Sequence, residues 1–177
     1  DQARRAAEDA KHSLASTKSR GEVLQSLVRQ AELGLLSGFY GRLGSLGTID
    51  PRYDVAISTA CPGLNNLVVE NVATGQQCIE YLRKHNLGRA NFVLLQNVQV
   101  KTDAMGPITT PENVPRLFDL VTPKDARFAP AFYHQLGDTL VARDLAQANR
   151  IAYGVKRWRV VTEDGQLIDK SGTMSGG

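Results

Sequence analysis

The chain has 177 residues, and its hydrophobic fraction of 42% is enough for a packed core, which argues against a wholly disordered protein. Its 21 Lys and Arg residues exceed its 18 Asp and Glu residues, and the formal net charge of +3 permits contact with nucleic acid without requiring it. No segment approaches the ~20 apolar residues of a membrane span, and the charged N-terminal residues lack the apolar core of a signal peptide. We therefore expect a soluble intracellular protein.

Residues 1–33 contain no proline and one glycine, and they are rich in residues that favour helices. Alternating steps of four and three residues give a mostly apolar seam of Ala3, Ala7, Ala10, Leu14, Thr17, Gly21, Leu24, Val28, Ala31 and Leu35. This pattern predicts a coiled-coil arm over residues 1–34, about 50 Å long and ended by Gly34. The alternative is one amphipathic helix that packs on the surface of its own domain.

After Phe39 the sequence changes to short apolar runs separated by turns. Asp50 and Pro51 predict an N-cap and a first helical turn, with the helix reaching about Cys61.

A strand–helix–strand pattern follows. Leu67–Glu70 and Asn91–Leu95 are short apolar runs of strand length. Between them, Thr74 and Gln77 form a capping-box pattern that predicts a helix to about His85. Elements of this size predict a βαβ unit with parallel strands.

Residues 96–115 are polar and contain three prolines, so we expect a linker between two lobes. The predicted elements beyond it are a strand over Leu117–Val121, a helix over Asp125–Leu136, a strand over Asp138–Ala142, a helix over Asp144–Tyr153, and a hairpin of Trp158–Thr162 with Gln166–Asp169. The expected fold is therefore mixed α/β with small mixed sheets. It comprises the arm, a first lobe with its linker over residues 35–115, and a second lobe over 116–177.

Gly41, Gly44 and Gly47 suggest a phosphate-binding loop, but their spacing excludes the usual kinds. A dinucleotide-binding loop needs GxGxxG between a strand and a helix, whereas this spacing is GxxGxxG, and no GxxxxGK[ST] or GxSxG motif is present. Glycines in a strand also allow a second backbone to approach closely. We therefore favour an interaction role over an α/β enzyme or nucleotide-binding domain, which stays the competing class.

The two cysteines, Cys61 and Cys78, and the three histidines form no metal-ligand or catalytic spacing. We expect two reduced, buried thiols, and no metal ion or other cofactor.

Basic residues are concentrated near the end of the chain. Over residues 143–159 the charged side chains are Asp144 and the cations Arg143, Arg150, Lys156, Arg157 and Arg159. Cations pair with phosphates and an aromatic ring such as Trp158 can stack on an unpaired base, so the cluster predicts a DNA-contact face. The alternative is an ordinary solvated surface, with Trp158 buried in a strand.

Several segments together resemble the hinge domain of SMC proteins, and most closely the subunit-four group of eukaryotic condensin. They are Ser19–Leu24, Gly38–Asp50, Tyr53–Ser58, Thr110–Val121, Ala131–Tyr133, Asp138–Ala142, Arg157–Thr162 and Ser171–Gly177. Their order and spacing cover nearly the whole chain, and Ser45 is one departure, at a position where an acidic residue is expected.

The resemblance implies a two-lobed α/β module at the far end of a long antiparallel coiled coil. Such a hinge pairs with the hinge of the other condensin SMC subunit and binds DNA with a preference for single strands. It is not itself an enzyme, since the ATPase heads lie at the opposite end of the coil. The implied partners also include the returning coiled-coil helix of the full-length chain, and the implied location is the nucleus and chromosomes, with a cytoplasmic pool.

Two sets of candidate site residues follow from the sequence and the resemblance together. The candidate dimer-interface residues are Gly41, Gly44, Gly47, Gly172, Gly176 and Gly177. The candidate DNA-binding residues are Lys18, Arg20, Arg150, Lys156, Arg157 and Arg159. The alternative function is a coiled-coil scaffold domain that binds only protein.

Overall fold

The computed structural model describes residues 20–177. The predicted coiled-coil arm therefore lies mostly outside the described residues. In chain order the helices are α1 (20–32), α2 (Asp54–Ala60), α3 (Val72–Lys84), α4 (Leu117–Leu120), α5 (Ala129–Leu136) and α6 (Leu145–Ala152). The strands are β1 (Phe39–Arg42), β2 (Gly47–Thr48), β3 (Leu67–Val69), β4 (Phe92–Leu94), β5 (Thr122–Pro123), β6 (Leu140–Ala142), β7 (Val160–Thr162), β8 (Leu167–Ile168) and β9 (Met174–Ser175). Within the described range, no helix combines the length and apolar character of a membrane span.

The described chain forms two compact units that interleave along the sequence. Residues 20–42 and Asn66–Asn97 belong to the first, and Leu43–Asn65 and Val98–Gly177 to the second. This grouping differs from the boundary expected between residues 115 and 116. The reason lies in packing, because α2 lies on β7 of the second unit and the segment after Asn97 also packs there.

The first unit contains the predicted βαβ motif. β3 and β4 are parallel, with α3 between them in sequence, and β1 adds to β3 in the antiparallel direction, so the sheet order is β1-β3-β4. The predicted N-cap of α3, Thr74, is three residues late. The Asn71 side chain accepts a hydrogen bond from the Thr74 backbone N–H at 3.0 Å and is the N-cap, while the Thr74 hydroxyl donates to the Ser37 carbonyl.

Helix α1 packs on the core of this unit. Val23 and Leu27 are buried, whereas the predicted seam residues Leu24 and Val28 are only half-buried and Leu35 is exposed. The buried face is therefore shifted by one residue from the predicted seam, which this unit covers only in part. The helix ends at residue 32, close to the predicted stop at Gly34.

The second unit has a four-stranded sheet in the order β6-β7-β8-β9, with β6 and β7 parallel and the later pairs antiparallel. Helix α6 packs against its inner face, so that Ile151 of the helix shares a core with Leu140, Val160 and Ile168 of the sheet, all at most 2% exposed. The predicted hairpin turn is present at residues 163–165. A second, two-stranded ladder pairs β2 with β5.

The strand predicted over Leu117–Val121 is wrong, because α4 occupies Leu117–Leu120. The Leu117 N–H donates to the Thr139 carbonyl at 2.8 Å, and the chain then turns so that the Asp119 N–H donates to the Arg116 carbonyl. This turn returns the Asp119 carboxylate to the Arg116 guanidinium. An ion pair thus overrides the strand propensity of the apolar run.

Arg116 is the most deeply buried charged residue described, with a side chain that is 0% exposed. Its guanidinium donates to the carboxylates of Asp119 and Asp138 and to the backbone carbonyls of three consecutive residues, Ala104, Met105 and Gly106. Burial by itself lowers the pKa of Arg116, but the hydrogen bonds to the two carboxylates outweigh it and hold the pKa above its ordinary value. The fork of five N–H donors thus anchors the linker to the second unit.

Replacing Arg116 by Ala should destabilise the second unit by about 2–4 kcal/mol, because three carbonyls and two carboxylates lose a buried donor. Arg116→Lys should recover only part of this, since one ammonium cannot reach all five groups. The matched control is Arg143→Ala, whose exposed side chain lies 3.6 Å from Asp144 and should contribute less than about 0.5 kcal/mol. Urea unfolding midpoints measure the difference, and equal midpoints for the two Ala variants would contradict the anchoring role.

Candidate dimer edges and nucleic-acid interface

Strand β1 is one edge of the first sheet and holds the first candidate interface residue. Its register with β3 shifts between Phe39 and Gly41, as in a β-bulge, and Gly41 has φ +97°, a conformation that favours glycine. A Cβ on Gly41 would meet nothing within 4 Å. The Tyr40 hydroxyl donates to Glu70 at 2.5 Å, which ties this edge to the end of β3.

Strand β9 is the outer edge of the second sheet. The Asp169 N–H donates to the Thr173 carbonyl, and Ile168 pairs with Met174 in the next register position. Because hydrogen-bonded and non-hydrogen-bonded pairs alternate in an antiparallel ladder, the N–H and C=O of Met174 point away from β8. The exposed residues Gly172, Gly176 and Gly177 flank this edge.

Gly44 and Gly47 have partners inside the second unit. The Gly44 N–H donates to the Leu64 carbonyl at 2.9 Å. A Cβ on Gly47 would lie 2.9 Å from Cζ of Phe132 and 3.1 Å from Cγ1 of Val121. Packing within this unit is therefore enough to require glycine at position 47, and its place in a dimer interface stays a prediction.

Lys156 and Arg157 are two adjacent, exposed members of the basic cluster. The Lys156 Nζ atom lies 4.1 Å from the Trp158 ring centroid, and Arg157 Cζ lies 5.2 Å from the Tyr153 ring centroid. Neither forms an ion pair with any residue in the described range 20–177. Their charges are therefore available to an anionic ligand.

The other candidate cations are placed differently. Arg150 forms a two-point ion pair with Glu112, with distances of 3.0 and 3.3 Å, and this hydrogen bonding lowers the pKa of the Glu112 carboxyl. Arg159 is half-buried and donates to the Ala60 carbonyl and the Thr139 hydroxyl, both at 3.0 Å. Both guanidinium groups thus have roles within the second unit.

Lys18 lies outside the described residues, and Arg20 is an exposed residue of α1 in the first unit. Among the candidates of the second unit, Lys156 and Arg157 are adjacent in one exposed segment.

Trp158 does not offer a stacking surface. It is only 6% exposed and belongs to the apolar core beneath α6, so it is buried as the alternative interpretation expected, but it precedes β7 and does not lie in a strand. Tyr153 was not among the candidates, yet its side chain is exposed at the C-terminal end of α6, beside Arg157. The position of an aromatic residue directly after a helix and before two cations was the available signal.

Comparison with known proteins identifies the fold and family. The model of the family described as SMC proteins Flexible Hinge Domain matches residues 36–152. The chain belongs to the SMC hinge family. The hinge is 62% identical over 96% of its length to Structural maintenance of chromosomes protein 4 of Schizosaccharomyces pombe, and it spans 13% of that relative. The predicted similarity to the subunit-four group is thereby confirmed.

Solved hinge structures share the architecture. A Pyrococcus furiosus Smc hinge domain with an extended coiled coil has a TM-score of 0.75 and 27% identity, with 98% of this chain and 60% of that one covered. An asymmetric dimer of the Geobacillus stearothermophilus SMC hinge domain has a TM-score of 0.72 and 26% identity, with 99% and 75% covered. These likenesses confirm the predicted mixed α/β hinge fold.

The thiols of this hinge are buried, as predicted. Desolvation raises the pKa of both Cys61 and Cys78 to about 11, so that both are protonated at neutral pH. Among the described residues, no group of three or more His, Cys, Asp and Glu side chains is arranged to hold a metal ion.

Gly47→Val should destabilise the hinge by about 1–3 kcal/mol, because the new side chain would overlap Phe132 and Val121 in a packed core. The control is Ser45→Ala, a change at a nearby exposed residue that should leave the unfolding midpoint within about 0.5 kcal/mol. Urea unfolding followed by circular dichroism makes the comparison, and a Gly47→Val hinge of unchanged stability would contradict the packing role.

Proposed function

We propose that this hinge pairs with the hinge of the other condensin SMC subunit and contacts DNA on chromosomes in the nucleus. The observation that supports the pairing is the outward-facing backbone of β9 at Met174, which no strand within the described residues pairs with. The similar Geobacillus stearothermophilus hinge domain forms an asymmetric dimer. The ATPase heads and the returning coiled-coil helix belong to the rest of the full-length protein, and a cytoplasmic pool is part of the same proposal.

The pairing proposal rests on backbone groups more than on side chains. An edge strand offers hydrogen bonds that a partner strand can complete, provided that no bulky side chain obstructs it. Glycine at positions 41, 172, 176 and 177 leaves both candidate edges with little side-chain bulk. The exposed Met174 side chain adds apolar area beside the β9 backbone.

The DNA-contact proposal centres on Lys156 and Arg157. Both are exposed, and neither has an ion pair with a described residue that would have to be broken before it contacts a phosphate. Arg150 and Arg159 act in support through their positive charge, since contact through their guanidinium groups would first have to break the bonds they form within the unit. Lys18 and Arg20 remain proposed contacts on the arm.

A protein-only scaffold is the second candidate. The observation that favours it is the neutralisation of two candidate DNA-binding cations inside the hinge, Arg150 by Glu112 and Arg159 in part by Asp169 at 3.9 Å. DNA binding that is absent, or that does not change with salt, would select this alternative.

Met174→Pro should abolish pairing with the partner hinge, because it removes the N–H that points outward from β9. The pairing of Ser175 with β8 is kept, so the sheet itself should remain folded. Met174→Ala keeps that N–H and should pair with affinity within about tenfold of the unmodified chain. Sedimentation velocity of each variant mixed with the partner hinge measures pairing. Equal complex formation by the Pro and Ala variants, both folded by circular dichroism, would remove β9 from the interface.

The double reversal Lys156→Glu with Arg157→Glu should weaken binding to a single-stranded oligonucleotide and reduce the slope of log K against log salt by about 1.4, the value for two phosphate contacts. The control Lys101→Glu with Lys124→Glu makes the same change of net charge at exposed residues of the same unit. Fluorescence anisotropy over a salt series measures both. An identical loss in the two variants would mean that net charge alone acts, and no particular contact.

A further inference from the structure

The segment after α6 presents an aromatic ring among cations. Residues 153–157 are all exposed, Tyr153 is 46% exposed, and Val155 is covered by no described residue. The Arg157 guanidinium lies 5.2 Å from the Tyr153 ring centroid, within cation–π range. The ring, Lys156 and Arg157 therefore occupy one continuous stretch of surface.

The Tyr153 ring is held in place by a contact distant in sequence. Its hydroxyl donates a hydrogen bond to the carbonyl of Gly172, in the turn between β8 and β9, at 3.2 Å. A ring fixed at its hydroxyl end and at its Cα loses less conformational entropy when it binds a ligand. This contact also places the ring beside the proposed β9 edge.

Trp158 cannot perform the same task. Its ring is buried in the core of the second unit and is 6% exposed, whereas Tyr153 is 46% exposed. Only the exposed ring of Tyr153 can therefore stack on a base, since stacking needs an open ring face.

We propose that Tyr153 is the stacking position for an unpaired nucleobase, with Arg157 and Lys156 contacting the phosphates on either side of that base. This rests on the proposed DNA contact and assigns the residue that distinguishes unpaired from paired strands. Stacking is open only to an unpaired base, because the bases of a duplex already stack on each other. A positive charge beside the ring attracts the negatively charged phosphates, and this attraction does not depend on the identity of the base.

The first test compares Tyr153→Ala and Tyr153→Phe with the unmodified chain, each alone and paired with the partner hinge. Tyr153→Ala should lower the affinity for an oligothymidine strand between about fivefold and 150-fold, since stacking on one base contributes about 1–3 kcal/mol. Its affinity for a duplex of equal length should stay within about twofold. Tyr153→Phe keeps the ring and should retain most of the single-strand affinity.

An oligouridine strand forms a second arm, because RNA bases offer the same ring face. Equal losses for oligothymidine and oligouridine are expected from stacking alone. A loss confined to one of them would overturn the proposal in favour of sugar-specific recognition.

The outcomes separate this inference from the proposed function. If Tyr153→Ala binds single strands as the unmodified chain does while the Lys156→Glu, Arg157→Glu hinge does not, the stacking assignment is wrong and the DNA contact stands. If the unmodified chain binds no single strand, both are wrong. A loss that is equal for single strands and duplex would also overturn the stacking assignment.

Photocrosslinking locates the base directly. An oligonucleotide containing 5-bromouracil should crosslink to the tryptic peptide of residues 151–156, Ile-Ala-Tyr-Gly-Val-Lys, in which Tyr153 is the one aromatic residue. The crosslink should disappear in Tyr153→Ala and persist in Tyr153→Phe. A crosslink to another peptide would place the base elsewhere and refute the assignment.

Discussion

The second unit is organised around one buried cation. Arg116 joins the carbonyls of residues 104–106, the turn of α4 and the segment that leads into β6. A buried guanidinium must have its donors satisfied, and this requirement fixes where the chain can run. The irregular linker, the unexpected helix and the segment before the parallel strand pair are therefore held by hydrogen bonds to the same residue.

Both faces of β6 and β7 in the sheet that follows are buried, since Val141 and Val161 are at most 3% exposed and α2 packs on β7. Leu140, Val160 and Ile168 bury the face beneath α6, and Trp158 joins them there. The residue after α6, Tyr153, and the two cations that follow stay in solvent. The division between buried and exposed aromatic residues, rather than aromatic content, decides which ring can meet a ligand.

Glycines serve two physical purposes in this hinge. At Gly47 the absence of a side chain lets Phe132 and Val121 approach within one unit. At Gly41 the backbone adopts a positive φ at an edge, and a side chain would meet open space. A glycine-spaced segment therefore combines internal packing with edge geometry, and spacing alone does not separate the two.

Patterns in the sequence were enough to predict the family, the mixed α/β class and the elements that depend on short-range signals. The βαβ unit, the Asp144 cap of α6 and the hairpin at residues 163–165 follow from short-range patterning and turn chemistry. Tertiary structure decided which unit residues 43–65 join, the helix in place of a strand at 117–120, and which cations of the basic cluster stay available. These depend on partners far apart in the chain, such as Glu112 for Arg150 and Ala60 for Arg159, and no local pattern specifies such pairs.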